Sequence, residues 1–142
     1  MPLTIYVARP DLELRYGPAE VANAAWRDEL DADMVIAAAC AGAAELIDAH
    51  LGSRYQLPLS PLPEMVKEIA LDIAWFKLWR VSIPDDVAAR HREAMRLLAS
   101  IANGTLTLQL AGVSPSESTD DGPTVMCESS GRMFGPGSMR GY

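Results

Sequence analysis

Apolar residues recur at helical spacing over three long stretches of the chain and two short ones. From Ala32 to Leu51, Val35, Ala39, Gly42 and Leu46 form one row. Ile36, Cys40, Ala43, Ile47 and Leu51 form the row beside it, and steps of three and four residues put both rows on one helix face. The middle of that face is small throughout (Ala38, Ala39, Cys40, Gly42, Ala43). Small residues admit another helix closely, so larger side chains must come from elsewhere to fill the layer. Gly42 costs about 1 kcal/mol of helix propensity relative to alanine, which points to close contact there. Asp31 stands just before the pattern as an N-cap.

A second pattern runs from about Pro63 to Val81. Val66, Ile69, Ile73 and Phe76 make one face, and Leu71, Trp75, Leu78 and Trp79 make much of another. A helix apolar on most sides is either central in a bundle or shared with a partner. So few helices are available to surround it that the partner is favoured, with Leu71, Trp75 and Trp79 at the interface. A third helix follows Ile83-Pro84-Asp85-Asp86. Its single stripe is Val87, His91, Ala94, Leu98 and Ile101, its acidic residues suit the positive end of the helix, and Asn103-Gly104 stops it. His91 reads as a packed core histidine. Two short helices precede these, from Pro10 to Arg15 and from Pro18 to about Trp26, and RDELDAD then reads as a polar loop. Leu3–Val7 alternates in β fashion but is too short for a lone strand, and Thr105–Leu110 alternates similarly.

After Gly112 the pattern changes. GVSPSESTDDGP reads as a flexible link, and the last residues have no core-building period. They carry Met133, Phe134, Met139 and Tyr142 at intervals, the spacing of anchors on an arm. The fold predicted is mostly α: a compact bundle of three longer helices plus two short N-terminal ones over residues 1–112, with an extended, flexible C-terminal arm over 113–142.

Composition narrows the function. With 142 residues, 49% hydrophobic and 22% charged, the chain is long enough for one domain with a real core. The net charge of −7 disfavours binding nucleic acid through its phosphates. It is unevenly spread. Asp11–Leu51 holds nine acids and two bases, whereas Arg54–Arg96 holds seven bases and six acids. In a symmetric assembly that asymmetry gathers the acidic halves on one surface. No run of about 18 consecutive apolar residues suggests a membrane span. The first residues lack the basic and apolar regions of a signal peptide. Cys40 and Cys127 lie far apart with no disulfide framework, which fits a reducing compartment.

No catalytic, cofactor-binding or metal-binding constellation stands out. Asp48 and His50 are two apart and do not share a helix face. Neither cysteine has a nearby histidine, and there is no CxxC, HExxH or phosphate-cradling glycine loop. Glu45, Asp48, Glu68 and Asp72 lack the Glu-x-x-His partner of a helical carboxylate metal site. An enzyme is not expected.

One stretch is more specific. Ile47–Leu59, IDAHLGSRYQLPL, ends a helix, turns at Gly52–Tyr55 and becomes extended before Pro58. Arg54 and Tyr55 sit on a short connection between two apolar helices, placed to pin helix to helix or subunit to subunit. The prediction is that Arg54 fixes the angle between the first two long helices by meeting a carboxylate or helix C-terminal carbonyls. I-D-x-x-L-x-x-R-Y-x-L-P-L resembles a motif of the Mu-like phage and prophage family of head–tail connector (head completion, neck) proteins. Further pieces agree in order: Tyr6 with Asp11-Leu12 and Arg15-Tyr16-Gly17, Glu68–Ala74, Ile101–Leu108, and Arg132–Tyr142.

The resemblance implies a structural subunit forming a ring, commonly a dodecamer, docked on the portal protein. It would extend the DNA channel, pass genomic DNA without specific binding and receive a tail-side completion or terminator protein. The place implied is the virion neck, with the host cytoplasm before assembly and no membrane. Arg54, Tyr55, Leu71, Trp75, Trp79, Met133, Phe134 and Tyr142 are the expected interface residues. The alternative is a small α-helical adaptor or regulatory binding protein acting as monomer or dimer.

Overall fold

A computed structural model describes residues 4–109, so Met133, Phe134, Tyr142 and the proposed arm of 113–142 lie outside the described residues. The chain forms α1 (Arg9–Tyr16), α2 (Pro18–Ala25), α3 (Ala32–Leu51), α4 (Glu64–Leu78) and α5 (Asp85–Ala102). Local chemistry sets most of these limits. Proline enters α1 and α2 in the first turn, where its missing N–H costs nothing. Gly17 separates them at φ +91°, a conformation that favours glycine. The Asp31 carboxylate accepts the Asp33 N–H at 3.1 Å and caps α3. Pro63 and Pro84 stand as extended N-caps before α4 and α5.

Helix α4 ends three residues earlier than its apolar pattern predicts. Trp79 is extended, and Arg27 donates to the Leu78 carbonyl at 2.7 Å while also holding the Ala24 and Trp26 carbonyls at 3.0 and 2.7 Å. A guanidinium satisfying carbonyls at the ends of two helices substitutes for another turn of α4. No strand forms among the described residues. The segment before α1 lies against α3, sharing a cavity with Ile36, Ala37, Cys40 and Ala41, and the chain after α5 turns back, with the Leu106 N–H on the Ser100 carbonyl at 3.0 Å.

The core lies where α3, α4 and α5 meet, and α3 packs most extensively against α4. The small face of α3 is what allows this approach. A Cβ on Gly42 would lie 3.3 Å from the aliphatic stem of Lys77, so the Lys77 side chain of α4 lies over the glycine. Bulk comes from α4 and α5: Ile69, Ile73, Leu78, Leu98 and Ile101 are fully buried. His91 sits at the rim, stacked on Phe76 with centroids 3.8 Å apart. By length and composition α3 is apolar enough to cross a membrane, although its apolar run is interrupted. In this fold it packs against each of the other four helices, most extensively α4, and it carries Asp48 in a polar contact.

The expectation that α4 offers Leu71 and Trp75 to a partner is corrected at the level of the single chain. They are 5% and 6% exposed, because α1 covers the side that had lacked a neighbour. Tyr16 stacks on Trp75 at 4.2 Å, nearly parallel, and Trp79 meets its edge at 5.7 Å. The two short helices thus supply the layer that three long ones could not. Trp75→Ala should cost about 3–5 kcal/mol through the lost stack and the cavity left behind. Circular dichroism melts beside sizing measure this; weakened association with an unchanged melt would contradict the placement.

Candidate assembly surface

The four described stretches that carry the family resemblance are far apart in sequence, yet they meet in pairs. Tyr6 donates its hydroxyl hydrogen bond to Asp48, fastening the N-terminal segment to the end of α3. Arg15 forms ion pairs with Glu68 and Asp72, and the Tyr16 hydroxyl donates to Asp72 at 3.2 Å. Asp11 accepts the Ala8 N–H at 3.0 Å and pairs with Lys67 at 3.1 Å. Tyr55 is buried and accepts the Leu108 N–H on its hydroxyl at 3.0 Å. The Arg54 guanidinium lies against Gly104, just beyond α5: a Cβ there would be 2.6 Å from Cζ and 2.8 Å from Nη2. Arg54 therefore meets the exit of the third long helix, where the sequence reading had set it between the first two. The helix-stop glycine leaves space for it.

These placements shape the electrostatics. Burial, then Asp72, pushes the Tyr16 hydroxyl up to about 12. Burial, then Asp48, raises Tyr6 further. Burial also lifts Asp72 above the usual carboxylate range despite Arg15. The Ala8 N–H, and then Lys67, hold Asp11 below it. Burial and then Lys77 keep His91 low, so it favours the neutral form. Asp48, Glu68 and Asp72 are committed to tyrosine and arginine partners. Among the described residues no three histidine, cysteine or acidic side chains cluster as a metal site.

Of the expected interface residues, Tyr55, Leu71 and Trp75 face inward, and Arg54 and Trp79 are half-buried. The large apolar surface left outside belongs to others. Leu14 is 90% exposed, and Trp26, Leu30, Met34 and Val81 are exposed at the end of the bundle where α2, α3 and α4 come together. Sequence reasoning passed over them because Trp26 and Leu30 flank or enter a polar loop and Val81 extends an apolar helix pattern. The available signal was two large apolar residues in a stretch otherwise so rich in charge.

Fold and surface define a small helical-bundle protein with polar contacts holding its segments together and apolar side chains on one outer end. The chain belongs to the family described as "Bacteriophage Mu, Gp36", whose model matches residues 6–127. It is similar to the Mu-like prophage FluMu protein gp36 of Haemophilus influenzae, at 26% identity over 142 residues and 99% of each chain. It is also similar to gene product J of Escherichia phage Mu, at 32% identity over 72 residues and 51% of each chain.

Two predictions follow from the contacts. Gly104 has φ +78°, so Gly104→Ala adds backbone strain to the collision with Arg54 and should cost more than about 1 kcal/mol. The cost should shrink in an Arg54→Ala background; equal costs in denaturant melts of both backgrounds would remove the contact. The Tyr16 shift has a defined sign. The unfolded hydroxyl ionises near 10 while the folded one keeps its proton to about 12. Its stabilising contribution is complete below pH 10 and is lost as pH rises toward 12. Melting temperature should therefore fall across that window, and less steeply for Tyr16→Phe.

Proposed function

We propose that this protein is a structural subunit of the phage head–tail junction. Family membership across residues 6–127 is the observation that carries this reading. Subunits would form a ring, a dodecamer by the family resemblance, docked on the portal, extending the DNA channel and receiving a tail-side completion protein. Such a part works by binding and geometry, with no bond chemistry. Exposed Leu14, Trp26, Leu30, Met34 and Val81 provide apolar area for those contacts. In this reading Met133, Phe134 and Tyr142 serve as further anchors toward a neighbour.

The acidic half suits a channel. Glu20, Asp28, Glu29 and Glu45 are exposed and enter no ion pair among the described residues. Turned toward the lumen they would repel phosphates and let DNA slide; the outer rim is the other place for them. The protein would sit in the host cytoplasm before assembly and in the virion neck after it.

Removing the gene from an inducible Mu-like prophage provides the test. DNA-filled heads and complete tails should accumulate unjoined, and purified protein added to the extract should restore joining. Electron microscopy should place a tagged copy at the neck. Normal virions without the protein, or a protein absent from virions, would overturn the reading; the latter would favour the helical adaptor or regulator.

A further inference from the structure

We propose that two copies of this chain pair face to face through the end of the bundle formed by Trp26, Leu30, Met34 and Val81. These side chains are 65%, 57%, 66% and 78% exposed, far more than expected for four neighbouring large apolar residues with no partner. They border two depressions that share Arg27, Leu30 and Arg80. One lies between the α2–α3 connection and the start of the α4–α5 connection. The other is a groove between α3 and the end of α4, floored by Ala38 and Ala39, with the Lys77 stem lying over Gly42. The small floor leaves room for a large side chain entering from outside.

Charge identifies the occupant. Arg80 lines both depressions; beside it the first is bordered by Glu20, Asp28 and Glu29, whereas no carboxylate lines the groove, where Lys77 stands. None of these five groups enters an ion pair among the described residues. Arg27 is already committed to three carbonyls. A partner of one sign would satisfy one edge and be repelled by the other. A second copy turned by two-fold symmetry satisfies both, because its acidic edge meets the basic edge of the first and the reverse. Apolar centre then meets apolar centre, and a large residue such as Met34 of each copy can enter the groove of the other.

This pairing is distinct from ring formation. It covers the apolar end in the free protein, and its failure would leave the head–tail reading standing.

Sizing of the full chain by light scattering and sedimentation across concentration tests it. A dimer is expected, and Met34→Glu should raise its Kd at least tenfold with an unchanged melt. The decisive experiment uses two charge variants, Lys77→Glu with Arg80→Glu, and Asp28→Lys with Glu29→Lys. Each alone should be monomeric, since like charges meet at both edges. Mixed one to one, they should form a heterodimer, which a merely structural role for these residues would not produce. A chain monomeric at every concentration overturns the proposal. So does self-association that these variants leave intact, a mixture that stays monomeric, or a monomer in which Lys77 cross-links to carboxylates within its own residues 110–142.

Discussion

The end of α3 is the joint on which the rest of this fold depends. Within eight residues, Asp48 takes the Tyr6 hydroxyl, Leu51 is fully buried, Arg54 reaches Gly104 and Tyr55 holds the Leu108 N–H. Segments more than forty residues distant on either side are therefore secured at one place. Each such contact must offset the entropy of ordering the chain between its ends, and grouping them on one rigid helix end orders that chain once for all of them. Tyr55 suits this task, since its ring fills core space while its hydroxyl serves a backbone N–H that would otherwise be buried without an acceptor.

Packing follows from the contrast between α3 and α4. One helix is lined with alanine and glycine, and the other carries isoleucine, leucine and tryptophan. With α3 on one side and α5 on another, α4 lies in the centre, and α1 then has to cover its remaining side. The Tyr16–Trp75 stack, flanked by Arg15, Glu68 and Asp72, is how a helix of only eight residues achieves this. Such short helices are marginal alone, so their stability comes almost wholly from this face. The arrangement leaves the opposite end of the bundle less well covered, and the apolar side chains stand out there.

For a protein of the Mu-like phage gp36 family this divides the residues by task. The described stretches that carry the family resemblance are largely internal contacts that hold the fold. The exposed end bearing Trp26, Leu30, Met34 and Val81 has the chemistry of association. A subunit of the kind proposed would need both, because a docked partner can be positioned only by a body that does not deform. The half-buried state of Trp79 fits the boundary between them: it meets Trp75 on one side and borders the outer depression on the other.

The sequence by itself determined the helices. Their periods, the prolines in the first turns of α1 and α2 and before α4 and α5, the Asp31 cap and the Asn103-Gly104 stop act over a few residues, so they are legible without a neighbour. It also marked Arg54 and Tyr55 as pinning residues, because large donor-rich side chains on a short connection must be held by something. The targets were decided only by the tertiary structure. Periodicity says which side of a helix avoids water, and it does not say whether another helix or another molecule covers that side. For Leu71 and Trp75 the cover is in the same chain, brought by α1 across more than fifty residues. For Trp26, Leu30 and Met34 no element of the described bundle reaches far enough, although nothing in their local pattern separates them from residues that are covered. Burial is a property of the whole arrangement, and a pattern read along one segment cannot contain it.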